Sequence, residues 1–121
     1  FDLDHFKKLN DTYGHQCGDL VLIETARHIK KFLRSADVFG RYGGEEFMVI
    51  CQETTIENTY ALAERIRENI AQADTGYEGL RVTISGGVAE SRVGEPVEQL
   101  VNRADELLYE SKNSGRNKIT Q

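Results

Sequence analysis

Arg41-Tyr42-Gly43-Gly44-Glu45-Glu46-Phe47 is the stretch that decides the fold of this chain. Residues 39–42 and 47–50, on either side of the glycines, are rich in aromatic and β-branched side chains and predict two strands, so the glycines are predicted as the turn of a hairpin. Two glycines permit a positive φ and leave room for a ligand beside the backbone. The two carboxylates would then stand at the hairpin tip, where acids can bind a hard cation and, through it, phosphate. The alternative is a solvent-exposed hairpin with two surface acids.

The composition is that of one globular domain. The chain has 121 residues, of which 39% are hydrophobic and 29% charged, and it contains no apolar run long enough to span a membrane and no signal-peptide pattern. Its net charge is −5, with 15 basic and 20 acidic residues, which argues against nucleic acid as the main partner. Cys17 and Cys51 lack metal-ligand spacing and are predicted to be free thiols in a reducing compartment.

Strand and helix patterns alternate along the chain. The predicted elements are a strand tail at 1–4, a helix over 19–33, the hairpin, a helix begun by a capping box at 54–57, a strand over 80–89 interrupted by Gly86-Gly87, a helix with Pro96 in its first turn and Gly115 as its stop, and a short strand at Ile119. The apolar stripe of the second helix is predicted at Ile56, Tyr60, Ala63, Ile66 and Ile70. We therefore expect a single α/β domain over 1–121, an α+β sandwich with helices packed on a central sheet. Gly86, in the predicted strand, is expected to loosen the local packing.

Further blocks accompany the hairpin in a fixed order. They are Asp2-Leu3-Asp4, Asn10-Asp11, Gly14-His15, Gly18-Asp19, Arg103-Ala104-Asp105 and Ser114-Gly115-Arg116-Asn117. With these blocks the chain resembles the GGDEF family, the bacterial diguanylate cyclases, in the variant with Glu at the third motif position.

The resemblance implies a fold and an activity. The fold is the nucleotidyl-cyclase, polymerase-palm-like one, with a central sheet flanked by helices. The activity is condensation of two GTP molecules into cyclic di-GMP, with release of two pyrophosphates, in the bacterial cytoplasm. Family domains begin with a helix upstream of Phe1, so the N-terminal helix and the start of the first strand are expected to be missing. Membrane contact is expected only through a possible upstream domain.

Three positions match the metal ligands of the family. They are the carboxylates of Asp2 and Glu45 and the main-chain carbonyl of Leu3, which together would hold two Mg²⁺ or Mn²⁺ ions. Two cations in one site can activate the attacking ribose oxygen and neutralise the leaving pyrophosphate. Glu46 would lie beside the ribose hydroxyl, where it either assists deprotonation or binds metal.

Asn10 and Asp19 match the guanine-recognition positions of the family. An aspartate can accept from the N1–H and the exocyclic amine of guanine, whereas adenine lacks this pair of donors, so selectivity for GTP follows. Two simpler interpretations remain open from the sequence. Asn10 could be a turn residue, and Asp19 could be a helix N-terminal acid favoured by the helix dipole.

The phosphate contacts are predicted after the first strand and after the last helix. Lys112 and Arg116 match the β- and γ-phosphate contacts of the family, although a lysine in a last helical turn also suits the helix dipole. His5, Phe6 and Lys7 are predicted as a loop whose backbone N–H groups cradle the γ-phosphate. Gly44 would let the nucleotide lie against the backbone.

A second site is predicted before the hairpin. Arg34 and Asp37 match the Arg-x-x-Asp product site of the family, where cyclic di-GMP inhibits the enzyme allosterically, and Arg65 matches its secondary arginine. The alternative for Arg65 is a solvated helix face. Because each domain should hold one GTP, catalysis is expected to need a homodimer.

Three other functions compete with the cyclase. The first is a non-catalytic domain that serves as a receptor for GTP or cyclic di-GMP, against which the intact acids argue. The second is a structural partner domain within a larger sensor. The third is a polymerase-like palm acting on nucleic acid, which the acidic balance disfavours.

Overall fold

Nine elements of secondary structure follow one another in the computed structural model, which describes all residues from 1 to 121. They are β1 (Asp2–Leu3), α1 (Phe6–Tyr13), α2 (His15–Lys31), β2 (Val38–Arg41), β3 (Phe47–Ile50), α3 (Ile56–Gln72), β4 (Ile84–Gly87), α4 (Val97–Asn113) and β5 (Ile119–Thr120). One sheet has the order β1-β4-β5, in which β4 is antiparallel to β1 and parallel to β5, and β2 and β3 form a second, two-stranded sheet. The predicted α/β class is confirmed. None of the helices has the length and apolarity needed to cross a membrane.

The predicted hairpin is present. β2 and β3 pair antiparallel from Val38 opposite Ile50 to Arg41 opposite Phe47, and the turn lies between them. Neither turn glycine has a positive φ, so the turn does not use the conformational freedom that the two glycines permit. The turn is held instead by the Arg41 guanidinium, whose Nε donates to the carbonyls of Gly43 at 3.2 Å and Gly44 at 3.0 Å.

Main-chain hydrogen bonds join the hairpin to the edge of the larger sheet. The Leu3 N–H donates to the Glu45 carbonyl at 3.2 Å, and the Phe47 N–H donates to the Phe1 carbonyl at 2.8 Å. Asp2 and Glu46 face each other across this junction as an isolated antiparallel bridge. The hairpin tip is therefore fixed beside β1, as convergence of the predicted acids requires.

The segment after β1 differs from the prediction. The expected loop at His5, Phe6 and Lys7 is instead the start of α1, which begins at Phe6 directly after His5, a residue with a left-handed φ of 56°. α1 is only eight residues long, and a helix of two turns is too short for its periodicity to stand out in sequence. α2 also begins earlier than predicted, at His15 rather than Asp19.

Helix α3 begins one residue later than the predicted capping box implies. Its N-cap is Thr55, whose hydroxyl accepts from the Asn58 N–H at 3.1 Å, and not Thr54, so Glu57 does not complete a box. The predicted stripe is confirmed, since Ala63, Ile66 and Ile70 are buried and Ile56 and Tyr60 pack against the small core cluster that contains Ala63.

The end of α4 agrees with the prediction. Gly115 follows the helix with a φ of 117°, and the N–H of Arg116 donates to the Ser111 carbonyl at 3.0 Å. This is the hydrogen bond of a Schellman-type helix end, which requires a left-handed residue.

Strand β4 lies at the centre of the larger sheet and is shorter than the predicted 80–89. A methyl group added at Gly87 would collide with the main chain of α4, at the Ala104 carbonyl and 2.6 Å from the Leu108 nitrogen, and one added at Gly86 would lie 2.8 Å from Ile119 Cδ1. The expectation that Gly86 loosens the packing is therefore wrong, because the glycines permit close approach. Around them lies the core, whose fully buried apolar members include Leu3, Val21, Ile29, Ile66 and Ile84.

Substitution of Gly87 tests this close approach. We expect Gly87→Ala to lower the free energy of unfolding by about 2 kcal/mol, because α4 has to move away from β4. Urea denaturation measures the effect. Gly40→Ala is the matched control, since nothing lies within 4 Å of its added methyl group, and equal stability of the two variants would contradict the packing account.

Candidate active site

Asp2, on β1, is a buried carboxylate that lies beside a lysine. It is 6% exposed, and its Oδ1 lies 2.9 Å from the Nζ of Lys112. This is an ion pair by distance, but its alignment is poor and Oδ1 accepts no hydrogen bond. Lys112, predicted to contact phosphate, therefore neutralises a predicted metal ligand. A phosphate contact would require its ammonium to leave Asp2, which the flexible four-carbon side chain allows.

Glu46 lies in a crowded negative environment. Partial burial raises the pKa of its carboxyl above the ordinary range, and the nearby carboxylates of Asp2, Asp105 and Glu45 raise it further. Glu46 and Glu45 are both only partly exposed, as expected for residues at the junction of the hairpin with β1.

Asp105 was not singled out as a site residue from the sequence. It lies on α4 seven residues before Lys112, and side chains separated by two helical turns share a face. Because Lys112 was already a candidate, this spacing was the signal that could have placed Asp105 in the same site.

The acidic residues do not by themselves form a cage for a metal ion. No three side chains among the His, Cys, Asp and Glu residues come together in the geometry of a metal-binding group. A cation here would therefore depend on the carboxylates of Asp2 and Glu45, the Leu3 carbonyl and oxygen atoms from a substrate. The buried Asp2 Oδ1, which accepts no hydrogen bond, is the atom best suited to such a ligand.

Asn10 and Asp19 lie on two packed helices. Asn10 is inside α1, so it is not a turn residue, and Asp19 is beyond the first turn of α2, which contains no acid. Both simpler interpretations are therefore wrong. The Asn10 Oδ1 is buried without a hydrogen-bond partner and lies directly over Gly18, where a methyl group would collide with it. An unsatisfied buried acceptor is costly and calls for a donor from a ligand or water.

The predicted phosphate-binding residues lie at two chain segments. The first turn of α1 offers free backbone N–H groups, including those of Phe6 and Lys7, because a helix leaves its first amides without internal partners. Lys7 is exposed, whereas the Phe6 side chain packs against the core. Arg116 is exposed, with a left-handed φ of 62°. A methyl group added at Gly44 would meet nothing within 4 Å, so the turn is open to a ligand.

Arg34 and Asp37 form a closed pair before β2. The Asp37 carboxylate accepts from the Arg34 main-chain N–H and from its Nη2, both at 2.8 Å, and the guanidinium also donates to the Gln52 carbonyl at 2.8 Å. The hydrogen bond from Arg34 is the main reason why the pKa of Asp37 is lowered. Both groups are therefore held in place, with part of the guanidinium facing solvent.

Arg34 and Arg65 line a common cavity of about 200 Å³. The structure thus brings together the two arginines that the sequence assigned to the second site. Cys51 also lines this cavity, and burial raises the pKa of its thiol. It remains a free thiol, like Cys17.

The sequence matches a known protein family and curated members of it. The family described as diguanylate cyclase, GGDEF domain, matches residues 1–118. Diguanylate cyclase A of Treponema denticola is 48% identical over 122 residues, which cover 98% of this chain and 33% of that protein. The chain therefore spans about a third of the length of this curated relative.

Solved structures agree closely with the fold. Diguanylate cyclase SiaD in complex with its activator SiaC, from Pseudomonas aeruginosa, superposes with a TM-score of 0.92 at 45% identity, over 98% of this chain and 46% of SiaD. The GGDEF domain of DgcB from Caulobacter crescentus, in complex with c-di-GMP, also gives 0.92, at 36% identity over 98% of this chain and 72% of that one. The palm-like fold expected from the sequence is confirmed.

The raised pKa of Glu46 predicts a pH-dependent stability. The stabilising contribution of protonated Glu46 is fully present below the ordinary glutamate pKa and is lost as the pH rises through the raised pKa of the folded state. We expect Glu46→Gln to raise the free energy of unfolding at about pH 8 and to change it little at about pH 4. Urea titrations at both pH values measure this. Glu98→Gln, on the exposed first turn of α4, controls for the loss of one charge, and an equal effect of Glu46→Gln at both pH values would contradict the assignment.

Proposed function

The chain belongs to the GGDEF domain family of diguanylate cyclases, and on this premise we propose that it condenses two GTP molecules into cyclic di-GMP and releases two pyrophosphates. The observation that carries the proposal is the junction of β1 with the hairpin, where Leu3 and Glu45 share a main-chain hydrogen bond of 3.2 Å. This contact supports a single site to which the acids of both elements would contribute. The reaction would take place in the bacterial cytoplasm, where GTP is available.

The base of GTP would be bound between α1 and α2. The unsatisfied Asn10 Oδ1 can accept a hydrogen bond from guanine, and the Asp19 carboxylate can accept from its N1–H and amine. Adenine offers no such pair of donors, and a site left with unpaired polar groups rejects the wrong base strongly.

The triphosphate would extend from the base toward the acids. The free N–H groups at the start of α1 favour an anion, through their hydrogen bonds and the helix dipole. Arg116 would add a guanidinium for the β- and γ-phosphates. Gly44 leaves the hairpin turn open on the other side.

The donor set at the junction fits a hard divalent cation. Asp2, Glu45 and the Leu3 carbonyl would hold Mg²⁺ or Mn²⁺, two per site, since all three supply the oxygen atoms that such ions prefer. When bound, these ions supply electrostatic stabilisation of the phosphoryl oxygens and of the pyrophosphate that leaves.

Glu46 is the proposed acceptor of the ribose proton. Its partly buried carboxylate faces Asp2 across the junction, and a carboxylate held beside the ribose hydroxyl can accept its proton. The 3′-oxygen of one GTP forms a bond to the α-phosphorus of the other, the bond to the pyrophosphate breaks, and the proton passes to Glu46. The same step on the opposite pair of groups closes the ring.

The reaction requires two domains that face each other. A GTP held in one chain has no second α-phosphorus within reach of its own ribose, so a homodimer would bring two sites together. Regulation by dimerisation follows, because tethering raises the effective concentration of the second domain.

Product inhibition would act at the cavity lined by Arg34 and Arg65. The Asp37 carboxylate holds the Arg34 guanidinium in place, so the side that faces solvent is available for phosphate or guanine. Cyclic di-GMP bound there would hold two domains away from the productive arrangement.

Loss of one carboxylate tests the cyclase. We expect Glu45→Ala to lower cyclic di-GMP formation by roughly a hundredfold or more, because charge stabilisation by the metal is worth several kcal/mol. The whole protein, fused to a coiled-coil dimeriser, is incubated with GTP and Mg²⁺, and the product is measured by mass spectrometry. Glu98→Ala is the matched control. A folded parent dimer that binds GTP but yields no product would favour the receptor function.

The product site has its own test. We expect Arg34→Ala to weaken inhibition by cyclic di-GMP at least about tenfold while initial turnover changes little, since a guanidinium contact with phosphate is lost. Inhibition curves with added product measure this. Arg27→Ala is the matched control, because Arg27 forms a similar ion pair with Glu24, at 2.7 Å and also three residues apart. Unchanged inhibition in Arg34→Ala would place the product elsewhere.

A further inference from the structure

Asp4 is a buried carboxylate to which the proposed reaction assigns no role. It is 5% exposed and accepts three hydrogen bonds: from the Ser85 hydroxyl to Oδ1 at 2.7 Å, and to Oδ2 from the Thr83 hydroxyl at 2.7 Å and the Asn117 main-chain N–H at 2.9 Å. Both its oxygens are engaged within the protein. In this it differs from Asp2, two residues earlier, whose Oδ1 accepts none.

The segment that Asp4 contacts has an unfavourable backbone conformation. Arg116 and Asn117 both have left-handed φ values, of 62° and 45°, in a region that most residues other than glycine disfavour and that asparagine tolerates better than arginine does. Two left-handed residues in succession persist only when their surroundings hold them. The contacts that hold this segment therefore determine where it lies.

Four contacts hold this segment. One is the hydrogen bond from the Arg116 N–H to the Ser111 carbonyl at 3.0 Å, which belongs to the end of α4, and the other three come from outside that helix. The Asn117 N–H donates to Asp4 at 2.9 Å, the Asn117 Oδ1 accepts from Arg67 Nη1 on α3 at 3.1 Å, and the Gly86 N–H of β4 donates to the Lys118 carbonyl at 2.9 Å. The Arg67 contact is exposed, whereas the Asp4 contact is partly buried. Asp4 is the one that ties the segment to the chain end of β1.

The Arg116 side chain has no restraint of its own, since only the main-chain N–H of this residue is bonded, to the Ser111 carbonyl at the end of α4. The side chain forms no hydrogen bond or ion pair within the protein, and the residue is exposed. The direction of its guanidinium is consequently set by the main chain of Arg116 and Asn117. A contact that fixes Asn117 fixes the origin of the Arg116 side chain.

We propose that Asp4 is a positioning residue for triphosphate binding, because its hydrogen bond to Asn117 holds Arg116 at a set distance from β1. This rests on the proposed function, in which Arg116 contacts the β- and γ-phosphates and Asp2 lies at the reacting end. Asp4 does not touch the nucleotide. Asp4 directly follows β1, which carries Asp2. Its hydrogen bond to Asn117 therefore links that strand to the segment that carries Arg116.

A double-mutant cycle tests the coupling. The affinity of the whole protein for 3′-deoxy-GTP, which binds but cannot be cyclised, is measured by calorimetry in Mg²⁺ for the parent, Asp4→Ala, Arg116→Ala and the double variant. We expect each single substitution to weaken binding by about tenfold and the double variant to be no weaker than Arg116→Ala alone. Affinity for 3′-deoxy-GMP, which lacks the β- and γ-phosphates, should not change in Asp4→Ala.

Two further variants separate positioning from general stability. Ser85→Ala removes the hydrogen bond to Oδ1 and leaves the Asn117 contact on Oδ2, so it should lower stability without weakening 3′-deoxy-GTP binding. Asp4→Asn should restore most of the affinity, since its amide oxygen can still accept from Asn117 and the Ser85 hydroxyl can accept from its amide. If Asp4→Ala fails to fold, Asp4→Ser takes its place in the cycle, since its hydroxyl keeps a polar group in the buried position and is too short to accept from the Asn117 N–H.

The outcomes are distinct. Additive losses in the cycle, or an equal loss of affinity for the monophosphate, would overturn the positioning role while leaving the cyclase intact. Failure of the parent protein to bind 3′-deoxy-GTP at all would overturn the proposed function and this inference with it.

Discussion

The site depends on the main-chain hydrogen bonds between β1 and the hairpin. Leu3 donates to Glu45 and Phe47 donates to Phe1, and these two bonds hold together segments that lie more than forty residues apart in the sequence. Without them the acids would stand on separate surface elements. Because the bonds are made by backbone groups, they tolerate changes of side chain at Leu3 while keeping its carbonyl in place.

The junction concentrates carboxylates, and Lys112 neutralises part of their negative charge. Asp2, Glu45, Glu46 and Asp105 lie close together, and their mutual repulsion contributes to the raised pKa of Glu46. Lys112 relieves part of this charge through its ion pair with Asp2. A site that concentrates negative charge in this way is suited to bind cations and, through them, phosphate, even on a chain with a net charge of −5. The overall charge is therefore no guide to affinity for a nucleotide.

Local sequence patterns predicted those parts of the structure that local forces decide. The hairpin, the buried stripe of α3 and the glycine end of α4 each depend on residues a few positions apart, so turn chemistry and periodicity were sufficient. The start of α1 was missed, because eight residues with one buried leucine show no clear period. The role of Gly86 and Gly87 was misjudged, because the atoms that exclude a side chain there belong to α4 and β5.

The sequence by itself determined the fold class, the family resemblance and the residue types available for chemistry, since these reside in composition, spacing and motif order. Only the tertiary structure decided which of those residues meet. It paired Lys112 with Asp2, left the Asn10 oxygen unsatisfied over Gly18, placed Arg34 and Arg65 on one cavity, and engaged Asp4 with Asn117, 113 residues away. The physical reason is that hydrogen bonding, burial and charge depend on distances in space. The separation of two residues along the sequence does not give their distance when they belong to different elements.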